Sequence, residues 1–358
     1  MGMRVTIRDL ARAAGVSSAT VSYVINNGPR TVRPETRERV LDAMRRLDYH
    51  PSAVARALSS KRMNTLGVVA QLTGDSLNYW FASILQALLK SCMARRQNVA
   101  LFVGSHWTDA RKSMPTYRDG RCDGLILLAP PNTDEMARAL MDKGVPFVLL
   151  NDVCEHPLVS HVDVDNESSM ETLVAEVIAA GHRRIALVGG EMELSSARLR
   201  HRGYVRALSQ AGIAYRAELV PPARYDETEG FRHVHRLMAL PKDRRPTAIC
   251  CGNDAIAFGA IKALSELGYR VPTDVSVTGF DDVPTSALCV PPLTTVRQPF
   301  DQLGRIAVDA LVEQIEGAAV YARKEVLPGE LVRRETVAPP PAAHNAAHRG
   351  NGRTYAKE

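Results

Sequence analysis

The stretch from Thr6 to Asn26 reads TIRDLARAAGVSSATVSYVIN, and its spacing predicts two short helices joined by a tight turn. Thr6 with Asp9 three residues later is a helix start signal, and apolar residues follow at helical spacing. Gly15 permits a sharp turn, and Ser17 is suited to cap the second helix. Two such helices, the second with small polar groups outside, are typical of a helix-turn-helix that reads DNA. An ordinary helical hairpin on a protein surface is the alternative interpretation.

The charge distribution favours the DNA-reading interpretation. Residues 1–62 carry 12 Lys and Arg against 5 Asp and Glu, whereas the rest of the chain carries 33 basic and 34 acidic residues. The whole basic excess of this 358-residue chain, whose formal net charge is +6, therefore belongs to its first 62 residues. A localised positive region on a neutral body fits a module that neutralises backbone phosphates.

The same stretch matches a known family pattern, TIxDxAxxAGVSxxTVSxxxN. The matching positions are Thr6-Ile7, Asp9, Ala11, Ala14-Gly15-Val16-Ser17 and Thr20-Val21-Ser22. On these residues the chain resembles the lactose and galactose repressor (LacI) family of transcriptional regulators. The resemblance and the exposed face of the second helix together give the candidate DNA-binding residues. They are Thr6, Ser17, Ser18, Ala19, Thr20, Ser22, Tyr23, Asn26, Arg30, His50, Ala57 and Leu58. Tyr23 stands where many relatives have arginine, so we expect it to contact a phosphate or a thymine methyl group.

A hinge is expected between the DNA-binding head, residues 4–50, and the rest of the chain. A third head helix is predicted from Pro34 to Leu47, and residues 51–63 follow as hinge helix and linker. Tyr49 to Leu58 resembles the family's YxPNxxARxL hinge, which implies that Leu58 wedges between base pairs while Ala57 lets two hinge helices approach. So short a helix is marginal by itself, and we expect it to order when two copies pair on DNA. A plain linker is the alternative.

From residue 64 onward, short apolar runs alternate with amphipathic segments, which predicts a parallel α/β fold. Strands are predicted at Leu66–Ala70, Val99–Val103, Gly124–Leu128, Phe147–Leu150, Ile185–Val188, Ala248–Cys251 and Val275–Gly279. Helices are predicted at Phe81–Arg95, Ser168–Ala180 and Ala255–Leu267, and a broken or shortened helix is predicted around Pro115. The fold class is thus an all-α helix-turn-helix head followed by an α/β core with parallel sheets.

The resemblance implies that this core, residues 64–338, is two-lobed and periplasmic-binding-protein-like. The N-lobe is expected at about 64–162 and 293–326, and the C-lobe at about 163–290 and 328–338. Crossings between the lobes are expected near His161–Val164, Val290–Thr294 and Val326–Pro328. The tail, residues 339–358, is rich in Pro, Ala, His and Gly and is predicted to be disordered.

Ligands of open parallel sheets bind beyond the carboxyl ends of the strands, so polar residues at those ends are candidates. Asn253-Asp254 and Asp281-Asp282 resemble the family's NDxxAxG and GFDD signatures, which implies that Asn253 and Asp281 face the ligand. By the same resemblance Asp254 and Asp282 cap helices or position the lobes. Asn151 follows a predicted strand, at a place where relatives often have aspartate.

An arginine completes the expected ligand site. Alignment on Gly203-Tyr204 favours Arg200, with Arg198 as the solvated alternative. Tyr225, Trp80 and Phe81 match family positions that form stacking or apolar walls, although Phe81 suits the protein core equally well. A guanidinium beside a carboxylate suits a polyol, a sugar or a purine-like ligand.

Several other classes of protein are excluded or disfavoured. No apolar run reaches membrane-spanning length, and the first ten residues lack a secretory core, so we expect a cytoplasmic protein without membrane contact. The six cysteines and ten histidines show no metal-ligand spacing, so no metal or cofactor is expected. An enzyme is disfavoured because nucleotide and nucleophile fingerprints are missing, and no catalytic residue is assigned. An exported sugar-binding protein would have no use for residues 1–62.

These observations predict a homodimeric, ligand-responsive transcription factor. We expect a repressor of carbohydrate uptake or catabolism genes that binds operator double-stranded DNA and is modulated by a small sugar-like effector. The alternative is a co-repressor-dependent regulator that responds to a purine or another small metabolite.

Overall fold

The structure, a computed structural model, describes residues 5–26, 32–50, 62–70, 79–103, 110–131, 133–318 and 321–341. Within the described part of the head lie three helices, α1 (Ile7–Ala14), α2 (Ser18–Asn26) and α3 (Pro34–Arg46). Gly15 ends α1 with a left-handed φ of 65°, which is why the chain turns sharply there. The apolar faces of the helices form one small core around Leu10, Val21 and Val40. The predicted helix-turn-helix head is confirmed.

The core of the protein alternates strands and helices, as the sequence predicts. Its described strands are β1 (Thr65–Ala70), β2 (Asn98–Val103), β3 (Gly124–Leu128), β4 (Phe147–Leu150), β5 (Ser160–Val164), β6 (Ile185–Val188), β7 (Ala248–Cys251), β8 (Ser276–Thr278), β9 (Thr295–Arg297), β10 (Lys324–Leu327) and β11 (Glu330–Val332). Its described helices are α4 (Tyr79–Ala94), α5 (Ala110–Tyr117), α6 (Thr133–Asp142), α7 (Asn166–Ala179), α8 (Ser195–Gln210), α9 (Glu227–Met238), α10 (Asp254–Glu266) and α11 (Phe300–Ile315). Short 3-10 turns lie at Ala217–Leu219 and Pro284–Ala287.

The N-lobe is built on a parallel sheet with the strand order β2-β1-β3-β4-β5-β10. Helices α4 and α11 pack on one face through residues such as Ile84, Leu88 and Leu311. Helices α5 and α6 cover the other face, where Met114 and Met136 are buried. Because both faces are covered, the central strands read as continuous apolar runs, which made them predictable from sequence.

The C-lobe is built on the parallel sheet β6-β7-β8, which isolated bridges extend to the antiparallel pair β9-β11. Helices α9 and α10 bury one face of this sheet, and α7 and α8 bury the other. The lobe therefore has the same two-sided helical cover as the N-lobe. The predicted two-lobed α/β fold with parallel sheets is confirmed.

Two of the three expected crossings between the lobes agree with the structure, and one is wrong. The chain leaves the N-lobe after β5, which ends at Val164, and again between β10 and β11. The expected crossing at Val290–Thr294 is wrong, because Leu293 packs in the C-lobe core and β9 pairs with β11 there. The chain crosses instead at Gln298 and Pro299, just before α11, so the second N-lobe segment begins near residue 298 rather than 293.

Other differences from the sequence predictions concern short or uneven segments. The strand predicted at Val275–Gly279 is shorter, Ser276–Thr278. The sequence predicts crossings at parts of β5 and β10 and no strand at β9 or β11, because these four strands are short or mix polar with apolar residues. Around Pro115, where a broken or shortened helix is predicted, the structure describes α5, which has 8 residues and contains Pro115. Residues 104–109 lie outside the described residues, so the shortening stays a prediction. Most of the predicted disordered tail, residues 342–358, lies outside the described residues.

Two further features bear on the classes of protein considered above. Within the described ranges, no helix combines the length and the apolar character needed to cross a bilayer. All six cysteines are described, and none forms a disulfide.

Candidate DNA-binding surface and effector cleft

The reading helix α2 is held at its start by two hydroxyl groups. The Oγ of Ser17 accepts a hydrogen bond from the backbone N–H of Thr20 at 3.1 Å, and the hydroxyl oxygens of the two residues lie 2.9 Å apart. Ser18 and Ala19 are exposed, whereas Val21 and Val24 are buried against α1 and α3. Of the predicted DNA contacts, Ser18 and Ala19 therefore face outward, while Ser17 and Thr20 also form the helix cap.

The hydroxyl of Thr6 starts the first helix. It accepts from the Asp9 N–H at 3.3 Å and donates to Asp9 Oδ2 at 2.6 Å. The backbone N–H of Thr6 also donates to Asp9 Oδ2, at 3.1 Å, which completes a reciprocal capping box. The hydrogen bond from Thr6 lowers the pKa of Asp9 below its ordinary value. The structure thus gives Thr6, which was predicted as a DNA contact, a role in helix capping.

The remaining predicted DNA contacts differ in exposure, and some of them lie outside the described residues. Ser22 and Tyr23 lie half-buried on α2, and His50 is exposed beside Asp48, with 3.1 Å between its Nε2 and the carboxylate. Asn26 ends α2. Arg30, Ala57 and Leu58 lie outside the described residues. The hinge interpretation therefore stays a prediction.

At the junction between the lobes, a buried glutamine connects two of the predicted effector residues. Asn151 follows β4 and donates from Nδ2 to Gln298 Oε1 at 3.0 Å. Gln298 in turn donates from Nε2 to Asp281 Oδ1 at 2.6 Å. All three side chains are at most 5% exposed. The bridge joins the N-lobe to the C-lobe at the second crossing.

Arg200 lies at the C-lobe end of this bridge and is 5% exposed. Its Nη2 lies 3.9 Å from Asp281 Oδ1, and its Nε donates to Asn166 Oδ1 at 2.8 Å. Its Nη1 donates to the carbonyl of Gly252, and its Cζ lies 3.7 Å from the centre of the Phe280 ring. Arg198 is exposed and donates instead to nearby backbone carbonyls. The structure therefore buries Arg200 with Asp281 and leaves Arg198 outside.

A second carboxyl group lies on the other side of Arg200. Asn166 donates from Nδ2 to Asp163 Oδ2 at 3.0 Å, so Asn166 connects Arg200 to Asp163, which is fully buried on β5. Burial raises the pKa of Asp163 to about 7 and that of Asp281 to about 8, although the Arg200 charge opposes both shifts. One buried guanidinium thus lies near two carboxyl groups that exchange protons near neutral pH.

Tyr225 forms an aromatic wall beside the guanidinium. Its ring centre lies 5.6 Å from Arg200 Cζ, and its hydroxyl lies 3.4 Å from Ser196 Oγ. Burial raises the pKa of the Tyr225 phenol above its ordinary value. The ring therefore offers a neutral, flat surface at the edge of the polar network.

Asn253 caps the helix that follows β7, and Asp254 has the positioning role that the resemblance implied for it as the alternative to capping. Asn253 Oδ1 accepts from the Ile256 N–H at 2.9 Å, so Asn253 caps α10, and its Nδ2 lies 3.5 Å from the Tyr225 carbonyl. Asp254 is not the cap. Its carboxylate accepts from the Val283 N–H and from the hydroxyls of Ser286 and Thr295, which fixes the loop after β8. Asp282 pairs with Arg297 and Arg334, in agreement with a positioning role.

The two predicted aromatic residues of α4 differ in burial. Phe81 is 4% exposed and packs in the N-lobe core, which corresponds to its alternative role rather than to a ligand wall. Trp80 is half-buried against the same core. Of this pair, only Trp80 keeps part of its surface accessible.

Sequence reasoning missed three members of the buried network, namely Gln298, Asn166 and Asp163. Asn166 and Asp163 lie in the run VDVDN at the end of β5, where the rule of polar groups after strands could have identified them. No motif in the sequence marks Gln298 as a site residue. The crossing that carries it is predicted at Val290–Thr294, several residues too early.

A three-helix head with a capped reading helix, followed by two lobes that enclose a buried polar network, defines a DNA-binding regulator that responds to a small ligand. Comparison with known proteins agrees with this class. Residues 6–52 match the family described as bacterial regulatory proteins, lacI family, and residues 174–337 match the periplasmic binding protein-like domain.

Whole-length relatives give the same result. The HTH-type transcriptional repressor PurR of Haemophilus influenzae is 34% identical over 93% of this chain and 98% of that protein. The Lac repressor dimer bound to operator and the anti-inducer ONPF has a TM-score of 0.81 and 31% identity, covering 94% of this chain and 100% of that chain. The transcriptional regulator CelR in complex with cellobiose has a TM-score of 0.70 and 30% identity, covering 93% of this chain and 100% of that chain.

The chain belongs to the LacI family of transcriptional regulators. It is a ligand-responsive repressor, and its relatives are repressors rather than enzymes, which confirms the class predicted from the sequence.

Ser17→Ala and Ser18→Ala should have different effects, because only Ser17 caps the reading helix. Loss of the cap should lower the stability of the head by about 1 kcal/mol and weaken binding to all DNA sequences alike. Ser18→Ala should leave stability unchanged and alter base preference at symmetric positions of the selected site. Thermal unfolding and site selection from random duplexes measure the two effects. Unchanged base preference in Ser18→Ala would remove Ser18 from the reading surface.

The buried Asp281 should make stability depend on pH. Because its pKa is raised to about 8, the folded state keeps a proton that the unfolded state releases above pH 4. The free energy of unfolding should therefore fall as the pH rises from 5 to 7. In Asp281→Asn, the free energy of unfolding should fall less steeply with rising pH, by roughly 1.4 kcal/mol per pH unit. Urea unfolding at several pH values measures this slope.

Asp274→Asn is the matched control for this measurement. Arg270 holds the pKa of Asp274 below its ordinary value, so that carboxylate is ionised in both states throughout this pH range. Its removal should leave the slope unchanged. A wild-type slope in Asp281→Asn would show that Asp281 takes up no proton on folding.

Proposed function

We propose that the effector is a small, neutral, sugar-like molecule that binds between the lobes at Arg200, Asp281, Asn151 and Tyr225. The observation that carries this proposal is the buried bridge Asn151–Gln298–Asp281, which joins the lobes beside Arg200. A ligand that replaces part of this bridge would interact with both lobes at once. The polar groups that converge there are the type that fixes a ligand's orientation in an enclosed site.

The chemistry of the network favours hydroxyl groups. Asn151 Oδ1 is buried and has no hydrogen-bond partner among the described residues, so it suits a hydroxyl donor. Asp281 accepts from hydroxyls, and the Arg200 fork donates to ring or hydroxyl oxygens. The relative CelR was solved in complex with cellobiose, which is a neutral sugar.

A planar metabolite such as a purine, acting as co-repressor, is the second candidate. The Tyr225 ring next to Arg200 supports it, because an aromatic face stacks on flat heterocycles. The Asn151 and Asp281 side chains could then contact ring nitrogens or amino groups. Either ligand would change operator affinity only through its different affinities for the two arrangements of the lobes, which amounts to about 1–3 kcal/mol in typical cases.

We further propose that the repressor acts in the cytoplasm as a homodimer that joins through one apolar face. Leu288 and Val290 are 78% and 88% exposed, and they border a cavity of about 560 Å³ together with Tyr79, Phe258 and Ile261. The Tyr79 and Phe258 rings meet edge to face with centres 6.0 Å apart, so this face spans both lobes. Apolar patches of this kind usually mark an interface, and a second copy can cover the same patch by two-fold symmetry.

A thermal-shift screen tests the effector proposal. The probes are cellobiose, glucose, galactose, ribose, adenine, guanine and hypoxanthine. At least one neutral sugar should raise the melting temperature, because ligand at 100 times its Kd adds about 2.7 kcal/mol. Arg200→Gln should abolish the shift, and Arg198→Gln, on the same helix but exposed, should keep it. A shift with purines alone would support the second candidate, and a shift that survives in Arg200→Gln would place the effector elsewhere.

Light scattering on the purified chain tests the homodimer. The wild type should have the mass of two chains, and the double variant Leu288→Asp/Val290→Asp should have the mass of one, since two carboxylates cannot be buried unpaired. Leu158→Asp is the matched control, because Leu158 is 75% exposed on an N-lobe loop away from this face. A double variant that keeps the dimer mass would place the interface elsewhere.

A further inference from the structure

The predicted effector cleft and the start of the core lie at opposite edges of the N-lobe sheet. In a parallel sheet all carboxyl ends share one edge and all amino ends share the other. Asn151 follows β4 at the carboxyl edge, whereas Met63 precedes β1 at the amino edge. A signal from the cleft to the DNA-binding head must therefore travel across the lobe.

Helix α11 connects the two edges directly. It begins at Phe300, two residues after Gln298 of the lobe-joining bridge, and it is capped at its other end by Glu316. Its 16 residues span about 24 Å, which is enough to return from the carboxyl edge to the amino edge. Leu303, Val308 and Leu311 of this helix are buried in the N-lobe core. Helix α11 is thus packed along the N-lobe core, and its first turn lies at the cleft.

The other end of α11 contacts Arg62, a described residue of the linker just before the core. Glu316 Oε1 lies 3.4 Å from Arg62 Nη1, and the two side chains are 49% and 28% exposed. The next residue, Met63, donates its N–H to Asp123 Oδ1 at 2.7 Å, and the Asp123 N–H donates to the Thr65 carbonyl at 2.8 Å. These contacts attach the start of the core to the amino edge of the sheet and to the end of α11.

We infer that Arg62 and Glu316 are positioning residues that couple the state of the cleft to the DNA-binding head through α11. This inference rests on the proposed function, in which the cleft controls DNA binding. A lengthwise or rotational shift of a packed helix by 1–2 Å is a common way in which such signals travel. A change at Gln298 moves the beginning of α11, and the Arg62–Glu316 contact transfers that movement to the chain that leads to the head.

A double-mutant cycle on the full chain tests the coupling without knowledge of the effector. The probe is a duplex selected from random DNA by the wild-type protein, and the readout is its affinity relative to random-sequence duplex. Gln298→Met keeps the side-chain volume and removes both bridge hydrogen bonds, and should change this ratio. In the Glu316→Gln background, the change that Gln298→Met causes in this affinity ratio should be smaller by a factor of about two to five. This factor is the effect of losing one partly exposed ion pair.

Glu313→Gln is the matched control on the same helix. Glu313 pairs with Arg323 rather than with Arg62, so the effect of Gln298→Met should be unaltered in that background. The charge exchange Arg62→Glu/Glu316→Arg should restore the coupling that Glu316→Gln removes. Because the readout is a ratio, a change in general attraction to DNA cancels. Asn151→Leu removes the other end of the bridge and repeats the cycle if Gln298→Met does not fold.

The outcomes separate this inference from the proposed function. Equal effects of Gln298→Met in the wild-type, Glu316→Gln and Glu313→Gln backgrounds would overturn the coupling through Glu316. No effect of Gln298→Met in any of them would overturn it as well. Equal shrinkage with Glu313→Gln would also overturn it, because the contact with Arg62 would then not matter. A wild-type chain that selects no duplex over random DNA would instead contradict its assignment as a site-specific repressor.

Discussion

The hydrogen bonds of Gln298 to Asn151 and Asp281 are the constraint on which the relation between the lobes depends. Groups from both lobes meet there in a buried position, and a buried polar group is costly unless it is paired. These two hydrogen bonds last only while the lobes keep this arrangement, since opening the cleft would separate Asn151 from Gln298. Any molecule that offers better partners to these side chains therefore changes the relative stability of the closed and open forms.

The C-lobe on one side of this bridge is closely packed inside. In the C-lobe, α9 and α10 approach so closely that a Cβ at Gly259 would lie 1.9 Å from the carbonyl oxygen of Glu227. Asp254 ties the loop after β8 to β9 through its bonds with Val283 and Thr295. Close packing of this kind resists internal deformation.

The head differs from the core because contacts between residues close in sequence stabilise it. Thr6 with Asp9, and Ser17 with Thr20, each satisfy backbone groups within one helical turn. These hydroxyls belong to helix caps, whereas Ser18 and Ala19 face outward and are exposed. A small three-helix core around Leu10 and Val21 holds the two helices together. The head can therefore keep its own structure while the core changes state.

Local signals made much of the molecule predictable. Gly124–Leu128, Phe147–Leu150, Ile185–Val188 and Ala248–Cys251 were predicted with the observed bounds, because strands buried on both faces form continuous apolar runs. The helix-turn-helix was predictable from caps and spacing, and two members of the buried network, Asn151 and Asp281, from motifs that follow strands. The second crossing was misplaced, since β9 and β11 have only three residues each and carry little periodic signal.

The sequence by itself determined the elements, the head, the class of protein and most of the residues that meet in the cleft. Only the tertiary structure decided that Asn253 is a helix cap, that Phe81 belongs to the core, and that Gln298 joins Asn151 to Asp281. Gln298 and Asn151 are separated by 147 positions in the chain. Capping and periodicity act within a few residues, whereas a contact between lobes depends on how distant segments pack. No pattern along the sequence records that packing, and it becomes visible only when the fold brings the segments together.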